Sequence, residues 1–411
     1  MCSRPVAARA TRTAVIVASV PELQKRTASA WKRRLSSSAS RTVPSVGAAK
    51  CVPVRAARTG THFAAPTEPT VHFAEVLCAR FACDEVRFAN SGTEATMSAI
   101  RVARAATGRD HIVKIEGSYH GHHDPVMFSV VPGSDLVGGR DAPSTTPMST
   151  GIPKAVADYT HVVPFNDLEL LGALLADRGD EIACLILEPV MMNIGICQPQ
   201  PGYLQGLKDL CHDNGAYLAF DEVKTGATLA YGGAVESFGV VPDVICLAKA
   251  IGGGTPCGAI GSTEDLYGPV IRGEYDMAGT FNGNPLTMAA SRATLTEVLV
   301  PEAYEHFTRI DKVMKDGLNA VVEKYELPCY VTGLGAKGSV IYSSQPVREY
   351  RDAVGIDERI SYLAWLFQQN RGVFKSPWTK QETWTLSVAH TEDDASRYIA
   401  NFEEFASAVT S

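Results

Sequence analysis

Two side chains near the middle of the chain have the types and positions that covalent and acid–base chemistry require. Lys249 follows the apolar run 244–248 and precedes three consecutive glycines that begin at Gly252. A lysine taken out of water tends to lose its proton, and the resulting amine can attack a carbonyl group. Asp221 ends another apolar run, 216–220, which is typical of a buried parallel strand with its functional residue at the carboxyl end. Taken singly, the lysine also fits a structural ion pair, and the aspartate fits a helix cap or a surface ion pair.

A third segment could bind an anion. Ser91, Gly92 and Thr93 follow the strand-like run 85–89 and open a helical stretch. Small residues with free backbone N–H groups at a helix N-terminus form an anion site, and phosphate is a natural ligand for it. Taken alone, the segment also fits an ordinary helix cap, because Glu94 follows at the position of a capping box.

Together, the three features suit the binding of pyridoxal 5'-phosphate. The carboxylate would keep the pyridine nitrogen protonated, the lysine would bind the aldehyde, and the helix N-terminus would hold the phosphate. Each group is expected at the end of a strand or a helix, where such groups can meet around one ligand.

From about Gly60 to the C-terminus the sequence resembles the class-III pyridoxal-phosphate aminotransferases. Within them it is most similar to the branch of glutamate-1-semialdehyde aminomutase and related amino-acid transaminases. The matching segments follow one another in order along the chain, at 63–68, 90–95, 118–122, 187–190, 220–223, 248–254 and 279–285. The resemblance implies an α/β protein of PLP fold type I. Its large domain would contain a mostly parallel sheet flanked by helices, and a smaller α+β domain would follow.

The resemblance also implies roles for residues around the cofactor ring. Lys249 would form a Schiff base with the aldehyde and later carry a proton, and Asp221 would pair with the ring nitrogen. Asn193 would lie near the ring hydroxyl. Tyr119 would stack on one face of the ring and Val223 would press on the other.

At the phosphate, the resemblance implies contributions from two subunits. Ser91, Gly92 and Thr93 would hold the phosphate of their own subunit, whereas Thr280 would reach the phosphate bound by the neighbour. We therefore expect a homodimer with a shared active site, and small-molecule partners in the form of an amino donor and an oxo acceptor.

The reaction we expect is amino transfer from an amino-acid-type donor to an oxo acid or aldehyde, through a Schiff base at Lys249. An aminomutase that moves nitrogen within one substrate is the alternative. Glu382 lies where the aminomutase has a pocket glutamate, whereas 224–228 and 281–284 depart from its pattern. A non-catalytic cofactor-binding paralogue is a third interpretation, because residues 1–50 do not resemble the elements that complete the family's substrate pocket.

The charge distribution sets the N-terminal segment apart. Residues 1–60 contain twelve Lys and Arg but one acid, Glu22, and they are rich in Ser and Ala. We expect a disordered or targeting extension there, followed by a large cofactor-binding domain at 61–300 and a small domain at 301–411. A cytoplasmic location is expected, or a mitochondrial one if the extension is a transit peptide. Arg55 and Arg58 lie close to the join but cannot be assigned to the substrate pocket.

Composition excludes several other classes of protein. The net charge of −7 argues against a nucleic-acid partner, and no run approaches the roughly 20 apolar residues of a membrane span. The ten cysteines lack a CxxC pair and are expected to be free thiols. His120, His122 and His123 do not have a second ligand cluster, so no metal is expected. We expect the Gly- and Pro-rich segment 124–153 to form a mobile cover over the cofactor.

Overall fold

The structure is a computed structural model that describes residues 66–375 and 383–411. The predicted extension at 1–60 lies outside the described residues, and so do Arg55, Arg58 and Glu382. The division into domains at residue 300 stays a prediction.

The described residues form twelve strands. Their bounds are β1 Glu85–Ala89, β2 His111–Ile115, β3 Gly138–Gly139, β4 Ala142–Pro143, β5 Thr160–Val163, β6 Ile182–Leu187, β7 Tyr217–Asp221, β8 Val244–Ala248, β9 Gly258–Ser262, β10 Tyr330–Leu334, β11 Lys337–Ile341 and β12 Thr383–Thr385. Seven of them make one sheet in the order β1-β9-β8-β7-β6-β2-β5. In this sheet β9 is antiparallel to both neighbours, and the remaining neighbouring pairs are parallel. The predicted mostly parallel sheet is therefore confirmed.

Eleven α-helices accompany these strands in the described ranges. Their bounds are α1 Glu68–Phe81, α2 Gly92–Thr107, α3 Leu168–Arg178, α4 Tyr203–Asp213, α5 Gly233–Phe238, α6 Gly268–Ile271, α7 Pro285–Ala293, α8 Pro301–Lys324, α9 Tyr350–Val354, α10 Glu358–Asn370 and α11 Glu392–Thr410. Among these helices, none has both the length and the apolar character needed to cross a membrane.

The central strands explain why the sheet forms where the sequence predicts it. Every residue of β6 and β8 is buried, and both strands consist of apolar residues with a cysteine in each. Such continuous apolar runs are typical of strands covered by helices on both faces. Because β7 and β8 are parallel neighbours, their carboxyl ends meet at one edge of the sheet. This edge therefore brings Asp221 and Lys249 close together.

A second, antiparallel sheet has the order β10-β11-β12 and packs against α8 and α11. The turn between β10 and β11 connects this sheet to the segment that follows Asp221. The Ala336 N–H donates to the Thr228 carbonyl at 2.8 Å, and the Leu386 N–H donates to the Ala336 carbonyl at 2.7 Å. These bonds hold the start of β11 beside the segment 224–228.

The segment 124–153 contains the β3–β4 ribbon and is attached to α9 by several hydrogen bonds. Arg351 donates to the carbonyl oxygens of residues 137, 138 and 139 at 2.9 to 3.1 Å. Its guanidinium also donates to both carboxylate oxygens of Glu116, at 2.9 and 3.0 Å. Burial raises the pKa of Glu116, and Arg351 opposes this rise. Arg351 therefore joins a buried carboxylate to the ribbon.

Replacement of Arg351 by Met should lower the free energy of unfolding by about 3–5 kcal/mol, because Glu116 would stay buried without its cation. Urea unfolding followed by circular dichroism measures this loss. Arg272→Met is the matched control, since the Arg272 and Glu274 side chains are 59% and 55% exposed. The control should leave the free energy of unfolding nearly unchanged, because exposed ion pairs contribute little to stability. Equal losses in the two variants would contradict this account of Arg351.

Candidate active site

A cavity of about 390 Å³ lies at the carboxyl ends of β7 and β8. Seven of the nine sequence-predicted site residues line it, namely Ser91, Gly92, Thr93, Tyr119, Asp221, Val223 and Lys249. Asn193 and Thr280 are not among its lining residues. Glu188, His120 and Lys224 also line the cavity, although no sequence motif predicted a cofactor contact for them.

The N-terminus of α2 forms one end of the cavity. Ser91 caps the helix, because its hydroxyl accepts from the Glu94 N–H at 3.2 Å. The N–H groups of Gly92 and Thr93 find no acceptor in the described part of the chain and lie at the cavity. The helix dipole adds positive potential at the same point. Such an arrangement can bind an anion, and the phosphate-binding role of these residues stays a prediction.

Glycine is required in this wall by close packing. A Cβ atom at Gly92 would lie 2.8 Å from a methyl group of Val223, and one at Gly121 would lie 2.7 Å from the Thr93 Cα. Gly121 also has a φ of +98°, which L side chains rarely adopt. The two glycines allow Thr93, Val223 and the segment after Tyr119 to meet around one cavity.

Both carboxylate oxygens of Asp221 are held by hydrogen bonds. Oδ1 accepts from the Val223 N–H at 3.0 Å, and Oδ2 lies 2.8 Å from Nδ1 of His120. Since a carboxylate can only accept, the imidazole donates from Nδ1. The His120 side chain is fully buried, and its Nε2 atom has no hydrogen-bond partner among the described residues. His120 therefore orients Asp221 toward the cavity and is not available as part of a surface metal site.

The Lys249 side chain is more exposed than the sequence predicts. The preceding strand is buried, but the Lys249 side chain extends into the open cavity and is exposed there. The protein around the amine still removes much of its water, which lowers the pKa of Lys249, and the nearby Lys224 ammonium lowers it further. Asp221 and Glu188 oppose this shift. The amine is therefore more available in its neutral, nucleophilic form than that of an ordinary lysine.

The backbone at Lys249 is unusual for a residue with a side chain. Its φ is +52°, in the left-handed region, at the point where β8 passes into a short 3-10 helix, Lys249–Gly252. Such strain in a non-glycine residue is maintained by its surroundings and is concentrated at functional sites. Sequence patterns did not predict this conformation.

Glu188 organises the side of the cavity next to β6. Its Oε1 accepts from the Tyr119 N–H at 3.1 Å and from the Asn193 side-chain amide at 3.2 Å, while Oε2 accepts from the Met192 N–H at 3.3 Å. Burial raises the pKa of Glu188, and the Lys224 cation counteracts this most strongly. Lys224 Nζ in turn donates to Oδ1 of Asn193. Glu188 thus positions the backbone of Tyr119 and the side-chain amide of Asn193. Asn193 in turn accepts a hydrogen bond from Lys224.

The turn that carries Tyr119 is also fixed by a second lysine. Lys114 is fully buried, and its Nζ donates to the carbonyl oxygens of Ile115, Ser118 and Phe128 at 3.1, 3.2 and 2.7 Å. Burial lowers the pKa of Lys114 to about 7. These bonds attach the turn to the start of the segment 124–153, which contributes no residue to the cavity lining. In this chain, the segment therefore does not cover the cavity as the sequence analysis expected.

Thr280 lies apart from the cavity of its own chain, on an exposed turn that precedes α7. Phe281 beside it is 60% exposed. Within the ranges that the structure describes, no group of three His, Cys, Asp or Glu side chains is arranged to hold a metal ion.

Comparisons with known proteins find similarity over most of the chain. The family model for class-III aminotransferases matches residues 49–362. A glutamate-1-semialdehyde 2,1-aminomutase from Myxococcus xanthus is 38% identical over 349 residues, which cover 84% of this chain and 79% of that protein.

Two solved structures are similar over most of the chain. An omega-transaminase from Sphaerobacter thermophilus has a TM-score of 0.82 and 31% identity, and the match covers 87% of this chain and 82% of that one. A transaminase described with PLP bound has a TM-score of 0.77 and 28% identity, with coverage of 88% and 82%. The fold predicted from the sequence is therefore confirmed.

Replacement of Gly258 by Ala should weaken cofactor binding at least about tenfold, which corresponds to ~1.4 kcal/mol. A Cβ at this position in β9 would lie 2.4 Å from the Ser91 carbonyl oxygen, so the start of α2 would have to move. Equilibrium binding of pyridoxal phosphate to the cofactor-free protein measures the effect. Gly355→Ala is the matched control, because its Cβ would meet nothing within 4 Å. Wild-type affinity in the Gly258 variant would show that the position of α2 does not determine binding.

Proposed function

We propose that this chain, which belongs to the class-III aminotransferases, transfers an amino group from an amino-acid donor to an oxo-acid or aldehyde acceptor. The cofactor is pyridoxal 5'-phosphate, which supplies a reactive aldehyde and a ring that withdraws electrons from the reacting carbon. One observation carries the proposal: Lys249, Asp221 and the N-terminus of α2 line a single cavity.

In this proposal the cavity residues hold the cofactor at three points. The free N–H groups of Gly92 and Thr93 bind the phosphate, and Ser91 shapes the cap that presents them. Asp221 accepts a hydrogen bond from the ring nitrogen and keeps that nitrogen protonated. Tyr119 and Val223 provide a flat aromatic surface and a branched aliphatic one, against which a pyridine ring can pack.

Lys249 has two tasks in this proposal. Its neutral amine would hold the cofactor through the aldehyde in the resting enzyme. When an amino donor takes its place, the same amine would be a base close to the reacting carbon, where it could take up a proton and return it. The lowered pKa of Lys249 supports both tasks, because each needs the uncharged amine near neutral pH.

We further propose that two copies of the chain form a homodimer in which Thr280 contacts the phosphate bound by the partner. The exposed turn at Thr280, its absence from the cavity lining of its own chain and the exposed ring of Phe281 support this assignment. In a dimer, the partner surface would cover this apolar ring.

An aminomutase is the second candidate function, and the name of the Myxococcus xanthus relative favours it. An aminomutase turns over one substrate without a separate acceptor, whereas a transaminase needs a donor and an acceptor for repeated turnover. Sustained conversion of glutamate-1-semialdehyde supplied alone would therefore select the aminomutase. Bound cofactor that no amino donor converts to its pyridoxamine form would select the non-catalytic paralogue.

Lys249→Ala should reduce the rate of amino transfer by about 10³-fold or more, because both the covalent attachment and the proton carrier are lost. Stopped-flow absorbance of the bound cofactor, after mixing with amino donors, measures the first half of the reaction directly. Lys312→Ala removes an exposed lysine that pairs with Asp316 and should react like the wild type. A Lys249 variant that transfers amino groups at the wild-type rate would exclude the proposed function.

A further inference from the structure

Lys224, rather than Asn193, presents a polar group to the cavity on the side next to Glu188. Lys224 lines the cavity, whereas Asn193 does not. Both polar atoms of the Asn193 side chain are occupied, because Oδ1 accepts from Lys224 and Nδ2 donates to Glu188 at 3.2 Å. The amide thus lies behind the lysine and holds its ammonium group.

The covalent structure of the cofactor indicates what this ammonium group would meet. On the pyridine ring, the carbon with the aldehyde lies between the carbon with the phenolic oxygen and the carbon with the phosphate arm. If Lys249 binds the aldehyde and the start of α2 binds the phosphate, the oxygen faces the wall of the cavity away from α2. The start of α2 lies against β9, where Gly258 meets the Ser91 carbonyl, whereas Glu188 follows β6 on the other side of β8 and β7. Lys224 lies on the Glu188 side, because Asn193 bonds to both. The phenolic oxygen carries negative charge when the cofactor is bound, and an ammonium is a strong donor to such a group.

We propose that Lys224 donates a hydrogen bond to the phenolic oxygen of the bound cofactor, with Asn193 and Glu188 as the positioning residues behind it. This inference rests on the proposed function, since it requires the cofactor to be joined to Lys249. Lys224 and Lys249 are the lysines among the described residues that line the cavity, and Lys249 is already committed to the aldehyde.

A cation in this place has a defined electrostatic effect on the lysine–cofactor bond. The nitrogen of that bond can carry a proton, and its protonated form is positive. The Lys224 ammonium disfavours this second positive charge, so it lowers the pKa of the nitrogen. The same repulsion contributes to the lowered pKa of the free Lys249 amine.

Other charged groups act on the same region and must be separated from Lys224 by experiment. Asp221 ends β7, Glu188 follows β6 and His120 pairs with Asp221. Lys337 at the start of β11 is the remaining nearby cation, and burial together with Lys224 and Lys249 lowers the pKa of Lys337 to about 8. Its Nζ donates to Thr385 Oγ1 at 3.0 Å, and it does not line the cavity. Lys337 is therefore a control for the general electrostatic field.

The test is a pH titration of the cofactor absorbance in the purified proteins with their cofactor bound. In Lys224→Met, the pKa of the lysine–cofactor nitrogen should rise by about one unit or more, because a charged hydrogen bond and a like charge are both removed. Lys337→Met should raise it clearly less than Lys224→Met does, since Lys337 does not line the cavity and its Nζ donates to Thr385. Lys224→Arg should stay close to the wild-type value, because the cation is kept.

An unshifted titration in Lys224→Met would overturn the inference, and so would an equal shift in Lys337→Met. If Lys224→Met does not retain cofactor, the Asn193→Ala variant provides the test. It removes the hydrogen-bond partner that positions the Lys224 ammonium but keeps the ammonium itself. A smaller rise in the same direction would then support the inference, and a wild-type titration would overturn it. A wild-type protein without any Lys249-linked absorbance would remove the proposed function itself, which distinguishes the two failures.

Discussion

The backbone at the end of β8 is the constraint on which the rest of the site depends. Lys249 adopts a left-handed conformation there, with a φ of +52°. For a residue with a Cβ atom this conformation costs about 1–2 kcal/mol. The packing of β8 offsets this cost, because β8 is buried along its whole length and is paired on both sides, to β7 and β9. The sheet therefore holds the lysine in a conformation that directs its side chain into the cavity.

Charge is balanced around this lysine by groups with separate partners. Asp221 and Glu188 provide two carboxylates, and Lys224 and Lys249 provide two amines. The ions do not simply pair, because His120 and the Val223 N–H hold Asp221 while Glu188 binds three groups of its own wall. The Lys249 amine has no hydrogen-bond partner among the described residues, and the other lysine repels its proton. An amine in this environment is free to form a covalent bond.

Much of this arrangement could be predicted from the sequence, because it follows from local patterns. Apolar runs predicted β7 and β8, and the rule that parallel strands carry functional residues at their carboxyl ends predicted that Asp221 and Lys249 meet. The contact between His120 and Asp221 could not be predicted, since 101 positions separate the residues and only tertiary packing brings them together. The sequence of 224–228 departs from the aminomutase pattern, but the position of Lys224 in front of Asn193 depends on how two loops pack.

The most direct measurement of the central claim is borohydride reduction of the purified protein, followed by peptide mapping. Reduction makes the bond between an amine and the cofactor aldehyde permanent, so the modified lysine can be identified. The account predicts that the cofactor is recovered on the peptide that contains Lys249, and that Lys224 in the same cavity stays unmodified. A folded protein whose cofactor is recovered on Lys224, or on no lysine, would contradict it.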